Sequence, residues 1–388
     1  MDSTRDSGSL DAGSIPAEVT SIITNFSIID SKLMMQLPAD TKVVIVGGGL
    51  AGCTLAHTLH QNNIKFILLD NPTKQSCSRV AAGIVNPINF FKINLSWWAD
   101  RCLAYNISFF KTVSDTLQTE VYQGIAYKKI FTSAAEKTKW KQKQNDVEVS
   151  DYISIDTTKM QNEKIIDEHG VGCVHGAAWL NVPLFLEKSK LFFEKLDCWH
   201  EQELHYDYTA KLCNEMQNLK IIFCEGASII ENPYFDYCVM KISKGEILTL
   251  HQPGLQLQNI VNKGAYVLPI GDDKYLIGAT YVWDENNERI TTEGKEHLLT
   301  LWQQISNLPA EVLHHKAGVR PASRDRRPVV GASARQANVY CLNGLGTKGA
   351  MHAARLSQIL YEHIFEDKPI EFEINTTRFL KKKKINLL

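Results

Sequence analysis

The chain has 388 residues, more than one compact domain usually contains, which predicts two domains with separate cores and argues against a single small binding module. Hydrophobic residues make up 44% of it, charged residues make up 22%, and a formal net charge of -1 gives no general attraction to nucleic acid or to anionic membranes. The nine cysteines are odd in number and form no C-x-x-C pair, which argues against a disulfide framework or a zinc module and favours a reducing, cytoplasmic location.

Residues 1–40 are rich in Ser, Thr, Asp and Ile but follow neither a helical nor a strand period, which predicts a disordered N-terminal extension. They lack a basic stretch followed by an apolar core, so no signal peptide is expected. Met34 and Met35 stand just before the first clear strand, so a natural chain could begin at either one. Apolar runs along the whole chain are shorter than the ~20 residues of a transmembrane helix, so no membrane span is expected.

A βαβ unit begins at residue 42, in the segment KVVIVGGGLAGCTLAHTLHQNNIKFILLD. The order is a buried strand, a glycine turn, a helix and a second buried strand. The turn has the spacing G-x-G-x-x-G and consists of Gly47, Gly49 and Gly52, with Leu50 and Ala51 opening the helix. These glycines permit a tight turn, close approach to a pyrophosphate and close packing of helix on strand. The free N–H groups of the helix then face the phosphates.

Asp70 ends the second strand about 20 residues beyond the glycine turn, where a carboxylate can accept the hydroxyl hydrogens of a ribose. Strand, turn, helix and acid together predict a dinucleotide site rather than glycines that serve packing alone. The motif itself does not separate FAD from NAD. A second strand, glycine turn and helix near the C-terminus, VYCLNGLGTKGAMHAARLSQIL (Val339 to Leu360), suits the far end of a long cofactor, which favours FAD.

Other segments complete the predicted fold. The helical spacing of NVPLFLEKSKLFFEKL (Asn181 to Leu196) predicts a helix, and KIIFCEGASII (residues 220–230) predicts another strand of the parallel sheet. Short alternating strands around GEILTL, AYVLPI and YLIGAT predict an antiparallel second domain. We therefore expect the α/β class, with a discontinuous Rossmann-type FAD-binding domain interleaved with an antiparallel α+β substrate domain.

The predicted domain limits follow these segments. The FAD-binding domain is expected to comprise residues 41–90, 155–232 and 318–375, the substrate domain residues 91–154 and 233–317, and the end of the chain a basic tail at residues 376–388.

Five blocks of the chain, in the same order, resemble the D-amino-acid oxidase-like FAD-dependent oxidoreductases, which include glycine oxidase and sarcosine oxidase. The blocks are VGGGLAGCTLAHTL, SRVAAGIVNP (Ser78 to Pro87), GAYVLPIGDDKYLIGAT (Gly264 to Thr280), GVRPASRDRRPVVG (Gly318 to Gly331) and LNGLGTKG (Leu342 to Gly349). The resemblance covers about residues 42–364. GVRPASRD and GLGTKG are most similar to the oxidase domain of the bifunctional tRNA 5-methylaminomethyl-2-thiouridine biosynthesis protein, whose methyltransferase domain has no counterpart in this sequence.

The resemblance implies FAD as the cofactor, hydride transfer from a carbon next to an amine nitrogen to flavin N5, and hydrolysis of the resulting imine by water. It implies catalytic roles for Arg320, Tyr266 and Lys348. A second substrate-binding Arg of glycine oxidase is replaced by Thr347, so glycine is a doubtful substrate. Besides the motif residues above, the implied cofactor-binding residues are Ala81, Ala82, Gly83, Ala227, Gly344, Gly346, Thr347, Lys348 and Gly349.

Each candidate has a structural alternative. Arg320 binds a substrate carboxylate or forms an ion pair with a neighbouring acid such as Asp325, and Tyr266 closes the substrate pocket or is part of the core. Lys348 stabilises the reduced flavin, together with the helix N-terminus after Gly344, or points into solvent. The small residues 81–83 run past the flavin ring or form a plain turn.

Several classes of function remain open. The favoured one is oxidation of a small-molecule amine or amino acid, with oxygen or another acceptor taking the electrons. The alternatives are a tRNA wobble-uridine (carboxymethylaminomethyl) modifying oxidoreductase, a dehydrogenase passing electrons to a quinone, and a non-catalytic flavoprotein. The cluster Arg324, Arg326 and Arg327 could hold RNA phosphate but is more simply a solvated face. The twelve histidines show no H-E-x-x-H or similar spacing, so no metal is predicted.

Overall fold

The structure is a computed structural model that describes residues 37–38, 40–71, 73–74, 76–156, 160 and 162–382. The disordered extension predicted at residues 1–40 lies almost entirely outside the described residues, as does the end of the predicted basic tail, residues 383–388.

The helices of the described residues are α1 (Leu50–Gln61), α2 (Ala99–Leu117), α3 (Ala134–Lys143), α4 (Val182–Lys195), α5 (Tyr206–Glu215), α6 (Thr292–Ile305) and α7 (Gly349–Phe365). Shorter 3₁₀ turns span Cys77–Arg79, Gly226–Glu231, Gly346–Lys348 and Thr376–Lys382. The strands in the first half are β1 (Val43–Val46), β2 (Phe66–Asp70), β3 (Ile84–Val85), β4 (Ile88–Asn89), β5 (Asn94–Leu95), β6 (Tyr122–Gly124), β7 (Tyr127–Ile130), β8 (Ile153–Asp156), β9 (Val171–Val174) and β10 (Ala178–Leu180). Those in the second half are β11 (Trp199–Glu201), β12 (Lys220–Phe223), β13 (Met240–His251), β14 (Ile260–Lys263), β15 (Ala265–Pro269), β16 (Lys274–Gly278), β17 (Val282–Trp283), β18 (Glu311–Ser323), β19 (Val329–Ala332) and β20 (Val339–Asn343).

A six-stranded sheet has the order β11-β2-β1-β12-β20-β19, parallel except for its last pair. All four residues of β1 are buried, as expected for a parallel strand covered on both faces. Helices α1 and α7 pack on this sheet and contact each other. Since the carboxyl ends of β1, β2 and β12 meet at one edge, the loops that follow them also meet there.

A larger mixed sheet has the order β17-β13-β16-β15-β14-β7-β9-β8, with β18 paired to β13. Its pairs are antiparallel except for β14 with β7. Helix α6 packs on this sheet through Leu298 and Trp302, which are both almost fully buried. The long pair of β13 and β18 continues to Ser323 and places Arg320 opposite Ser243.

The α/β class and the combination of a parallel sheet with an antiparallel one are confirmed, but two predicted limits disagree with the sheet pairings. Strand β9 lies within residues 155–232, yet it pairs with β7 and β8 in the larger sheet. Likewise, residues 318–323 continue β18 in that sheet. Four-residue strands such as β9 carry no sequence signal for their partner, because burial alone is common to both sheets.

Two further segments differ from the predictions. The strand expected over residues 220–230 ends at Phe223 and is followed by a 3₁₀ turn, which begins at Gly226 with a φ of +57°. The basic tail expected from residue 376 is not a tail at its start, since Thr376, Arg378 and Phe379 are buried. Arg378 is held there by hydrogen bonds to Asp325 and to the carbonyl of Arg327.

Candidate active site

The glycine turn after β1 is shaped by backbone approach. Gly47 has a φ of +108°, and a Cβ on it would lie 2.6 Å from the carbonyl oxygen of Cys224. A Cβ on Gly52 would lie 1.9 Å from the carbonyl oxygen of Gly47. No side chain fits at either position, so the turn stays tight and helix α1 begins directly at the edge of the sheet.

Asp70, at the end of β2, closes the turn from the other side. Its Oδ1 accepts a hydrogen bond of 2.8 Å from the backbone N–H of Gly48, and its Oδ2 lies 3.2 Å from Nη2 of Arg79. Ser78 Oγ accepts a hydrogen bond of 3.1 Å from the N–H of Leu50, at the start of α1. Sequence reasoning missed these contacts of Arg79 and Ser78, because neither residue stands in the glycine motif.

The loop after β12 contributes a partly buried acid, Glu225, near Ala227. The carboxylate of Glu225 accepts hydrogen bonds from the hydroxyl of Tyr206 (2.9 Å) and the side-chain amide of Asn232 (2.8 Å). Burial raises the pKa of Glu225 above its ordinary value despite these donors. Glu225, Tyr206 and Ala227 line the same cavity as the glycine turn, so this end of it could hold the nucleoside part of a cofactor.

The small residues 81–83 form a close backbone approach rather than an exposed turn. Trp179 donates a hydrogen bond of 3.0 Å to the carbonyl of Ala82. Gly83 has a φ of +74°, and a Cβ there would lie 1.8 Å from the carbonyl oxygen of Leu180. Ala81, Ala82 and Gly83 all line the cavity, where larger side chains would take up its space.

The second glycine turn lies between β20 and α7. Gly344 and Gly346 have positive φ values of 71° and 55°. The N–H of Gly344 donates to Oδ1 of Asn343 at 2.7 Å, and α7 begins at Gly349 with its N-terminal end at the cavity. Thr347 directly follows Gly346 and is exposed, at the rim of the cavity.

Lys348 is a half-buried cation at this turn. Its Nζ donates a hydrogen bond of 2.7 Å to the carbonyl of Asn86, and the described residues offer it no carboxylate within ion-pair distance. Burial lowers the pKa of Lys348 to about 8, because a desolvated ammonium without a counter-charge is unfavourable. The alternative that Lys348 points freely into solvent does not describe this arrangement.

Arg320 projects from β18 into the cavity and crosses the neighbouring strand. Its Nη1 donates to the carbonyl of Lys244 (3.3 Å), and its Nη1 and Nη2 lie 3.5 and 3.4 Å from the carbonyl of Thr280. Its guanidinium carbon is 5.3 Å from the ring centre of Tyr281. Among the described residues no carboxylate lies within 4.0 Å of this guanidinium, so its charge is available to an anionic ligand.

The structural alternative for Arg320, an ion pair with Asp325, is wrong. Asp325 is bound by Arg378 instead. The neighbouring arginines also do not act as one cluster, since Arg326 lies over Trp283 whereas Arg327 lies over Trp97.

Tyr266, on β15, faces the same end of the cavity as Arg320. A Cβ on Gly278 would lie 2.5 Å from the Tyr266 hydroxyl, so the glycine leaves room for it. Burial raises the pKa of Tyr266 well above its ordinary value, and the hydroxyl therefore stays protonated and able to donate. Its ring also packs against the core on one side, so both sequence interpretations describe part of its environment.

One cavity of about 510 Å³ joins these features. Most of the predicted residues line it: Gly47, Gly49, Leu50, Ala51, Asp70, Ala81, Ala82, Gly83, Ala227, Tyr266, Arg320, Gly346, Thr347, Lys348 and Gly349. Gly52 and Gly344 are not in its lining and act through backbone packing. The lining also includes Tyr281 and Glu288, which sequence reasoning missed because they lie on a connection outside the family motifs.

Two general features complete the description. The described part of the chain contains no group of three or more His, Cys, Asp or Glu side chains placed to hold a metal ion. Within the same residues, no helix is both long and apolar enough to cross a membrane.

Comparison with known proteins gives two family-level matches. The model of the FAD dependent oxidoreductase family (DAO) matches residues 201–362, and a FAD binding domain model matches residues 42–89. The two glycine turns, the acid at the end of β2 and the small-residue loop therefore occur in a chain whose matched families bind FAD. The tight turn that Gly47 and Gly52 permit, with the start of α1 at the cavity, fits that cofactor.

Curated relatives include the tRNA 5-methylaminomethyl-2-thiouridine biosynthesis bifunctional protein MnmC of Acinetobacter baylyi, 26% identical over 47% of this chain and 32% of that protein. The protein of the same name from Marinobacter nauticus is 20% identical over 83% of this chain and 55% of that protein. The chain thus spans about half or less of the length of these relatives.

Glycine oxidase from Bacillus cereus has a similar fold, with a TM-score of 0.71, 17% identity, and coverage of 85% of this chain and 96% of that one. At 17% identity, this structural similarity establishes the fold and nothing about the substrate. The two family models confirm the cofactor expected from the sequence, FAD, and the resemblance to D-amino-acid oxidase-like proteins that the five sequence blocks indicated. Residues 201–362 match the FAD dependent oxidoreductase family, and residues 42–89 match a FAD binding domain.

Proposed function

We propose that this flavoprotein oxidises the C–N bond of an amine that carries a carboxylate, an amino acid in the broad sense. The observation that carries the proposal is Arg320, whose guanidinium faces the cavity with backbone carbonyls as its partners. A planar guanidinium can bind a carboxylate through two parallel hydrogen bonds. Bound FAD supplies the acceptor for the hydride.

The other residues of the cavity position the substrate and adjust the electrostatics. The Tyr266 hydroxyl and the Arg320 guanidinium together hold one end of the substrate, which brings its C–N bond to a fixed place. Lys348 and the N-terminus of α7 place positive charge at the second glycine turn, where this charge would stabilise the negative charge on the ring of a reduced flavin. The small residues 81–83 line the cavity without filling it and leave room for the cofactor and substrate. This proposal requires no side chain as a general base, because the cofactor carries the redox step.

The test is a screen for anaerobic bleaching of the bound flavin. Amino acids, N-alkyl amino acids and the corresponding amines without a carboxylate are mixed with the oxygen-free holoprotein, and absorbance near the flavin maximum is followed. We expect rapid bleaching by at least one carboxylated amine and slow or no bleaching by its decarboxylated partner. Colour that persists with every amine tested would refute the proposed function and leave either the tRNA candidate described below or a non-catalytic flavoprotein.

The electron acceptor is a separate question that the same preparation answers. Reduced protein is mixed with oxygen or with a soluble quinone, and the return of flavin absorbance is timed. Fast return with oxygen identifies an oxidase, whereas fast return with the quinone alone identifies a dehydrogenase.

A second candidate function is oxidation of a carboxymethylaminomethyl group on the wobble uridine of tRNA. It is favoured by the names of the curated relatives and by the fact that such a group also combines an amine with a carboxylate. Bleaching by tRNA that carries this modification, without bleaching by unmodified tRNA or by free amino acids, would select this candidate over the first.

A further inference from the structure

Gly245 lies in the middle of the long strand β13, where glycine is unfavourable. Its backbone does not explain the residue, because Gly245 is absent from the described positions with positive φ. What explains it is space: a Cβ on Gly245 would lie 1.9 Å from Nη2 of Arg320 and 2.3 Å from both Nη1 and Cζ. The guanidinium of Arg320 therefore lies directly against the backbone of Gly245.

The register of the two strands accounts for this contact. Arg320 pairs with Ser243, and Gly318 pairs with Gly245. Since side chains two positions apart in a strand share a face, Ser243 and Gly245 face the same way as Arg320. Arg320 extends diagonally from Ser243 towards Gly245, which offers no side chain.

The opposite face of β13 holds this backbone in place. Lys244 and Glu246 are each 2% exposed, and Lys244 Nζ lies 3.1 Å from Glu285 and 3.6 Å from Glu246. Glu246 in turn accepts hydrogen bonds from the backbone and hydroxyl of Thr291 at 2.9 and 2.8 Å. A strand fixed by these buried contacts cannot easily shift away from Arg320.

The same strand also fixes the carbonyls that bind Arg320. Glu246 donates its N–H to Thr280 Oγ1 (2.8 Å) and accepts from the N–H of Thr280 (3.1 Å). The carbonyls of Thr280 and Lys244 are therefore both tied to β13. They accept hydrogen bonds from the guanidinium, which also lies against the backbone of Gly245.

We propose that Gly245 is a positioning residue that sets how far Arg320 reaches into the cavity, and that it thereby determines the preference for carboxylated amines. The inference rests on the proposed function in one respect, that Arg320 binds the substrate carboxylate. A methyl group at position 245 pushes the guanidinium off the two carbonyls and into the space that the carboxylate occupies. The bidentate geometry is then lost although the charge remains.

The experiment uses the holoprotein and two probes, N-methylglycine and dimethylamine, which differ by the carboxylate. Binding is read from the change in flavin absorbance, and flavin reduction is read separately under anaerobic conditions. Gly245→Ala should weaken binding of N-methylglycine by about tenfold or more, a change of about 1.4 kcal/mol, and alter dimethylamine binding by less than about twofold. FAD content should stay at the wild-type level.

Gly124→Ala is the matched control. Gly124 also lies in a strand without positive φ, and a Cβ there meets no atom within 4 Å. This variant should bind N-methylglycine as the wild type does. In the Arg320→Ala background, Gly245→Ala should add no further weakening, because the two residues act as one unit.

Any of the following results would overturn the proposal: Gly245→Ala that binds N-methylglycine like the wild type, equal weakening for both probes, full additivity with Arg320→Ala, or a wild type that does not bind N-methylglycine. If Gly245→Ala fails to retain FAD, the double variant should regain it, since the three atoms nearest to the added Cβ all belong to Arg320; continued loss in the double variant counts against the proposal. The proposed function fails by a different result, the absence of flavin reduction with every amine.

Discussion

Arg378 binds both carboxylate oxygens of Asp325, with Nε 3.0 Å from Oδ2 and Nη2 3.1 Å from Oδ1. It also donates to the carbonyls of Arg327 and Ile374, at 3.1 and 2.9 Å. The loop between β18 and β19 is thus tied to the C-terminal 3₁₀ turn. Arg378 thus supplies the hydrogen bonds and the counter-charge that the Asp325 carboxylate needs. Asp325 therefore holds the loop and does not bind Arg320, although the two residues are close in sequence.

The Asp325–Arg378 pair should contribute to stability without contributing to substrate choice. We expect Asp325→Asn to lower the free energy of unfolding by about 1–3 kcal/mol near pH 7, because the Arg378 side chain is 5% exposed and loses its counter-charge. The preference for carboxylated over decarboxylated amines should not change. Denaturant unfolding and the amine screen measure the two effects. A changed preference would show that Asp325 influences substrate binding by Arg320.

The pH dependence of this contribution follows from the pKa of Asp325. Burial alone would raise that pKa, but hydrogen bonds from Arg378 and Ser323 lower it below its ordinary value. The stabilisation is therefore present above the unfolded-state pKa of about 4 and is lost as the pH falls through the lower folded-state pKa. The stability difference between wild type and Asp325→Asn should shrink at acid pH, and a constant difference would contradict this origin.

The sequence predicts the parallel sheet well because its signals are local. The residues around Gly47 and Gly344 carry strand, turn and helix signals within short segments, and both form the expected turns. Contacts between distant segments leave no such signal. Nothing in the sequence near Arg320 indicates that its guanidinium lies against Gly245, or that Asp325 forms an ion pair with Arg378. The site residues could be predicted one by one, whereas their partners required the fold.

Asp70 should contribute to FAD binding in two ways, through the ribose and through the N–H of Gly48. We expect Asp70→Ala to weaken FAD binding by roughly one to two decades, the equivalent of about 1.5–3 kcal/mol for a hydrogen bond to a charged group. Asp70→Asn keeps one acceptor for Gly48 and should be the milder change. Titration of apoprotein with FAD measures both, and equal affinity in all three proteins would place the ribose elsewhere.

The protein should release FAD, and not FMN, on denaturation, because the first glycine turn and Asp70 are suited to a pyrophosphate and a second ribose. The cysteine thiols of the described residues that line the cavity, Cys77 and Cys224, have pKa values raised by burial, which disfavours a reactive thiolate. We therefore expect non-covalent FAD. Chromatography of the released flavin checks both points, and colour that stays with the denatured chain would contradict the second.

Lys348 should make the protein less stable and more active. Its ammonium is half-buried and its pKa is lowered to about 8, so the charged form costs free energy in the folded state. Lys348→Met should raise the stability of the apoprotein by about 1–3 kcal/mol at pH 7, a range reduced by partial solvation and by loss of the bond to Asn86. The same variant should slow flavin reduction and make the flavin potential more negative, because a cation near the ring is removed.

The sign of the pH dependence for Lys348 is the same as that for Asp325, because both folded-state pKa values are lowered, but the pH window lies higher. Between pH 8 and about 10.5 the unfolded chain keeps its Lys348 proton while the folded chain has lost it, so wild-type stability rises across this window. The advantage of Lys348→Met should therefore be largest below pH 8 and disappear near pH 10.5. Unfolding curves of both apoproteins at several pH values decide this, and a variant that is less stable at every pH would show that the hydrogen bond to Asn86 outweighs the cost of burial.

Arg320 provides the sharpest test of the substrate class. If its guanidinium forms a bidentate pair with a carboxylate in the cavity, Arg320→Ala leaves that anion buried without a partner, and the loss in flavin reduction should reach several kcal/mol, or two or more decades in rate. Arg320→Lys keeps the charge but offers only a point donor, and lysine is not expected to reach both carbonyls that hold the guanidinium. It should therefore rescue little activity, while FAD content and thermal stability remain close to wild type in both variants. The decisive measurement is single-turnover reduction by the best carboxylated amine and by its decarboxylated analogue, in all three proteins. Wild type should prefer the acid strongly and the variants should lose most of that preference. An equal preference in all three would remove Arg320 from the substrate site, and full rescue by lysine would show that charge alone, without the planar fork, binds the substrate.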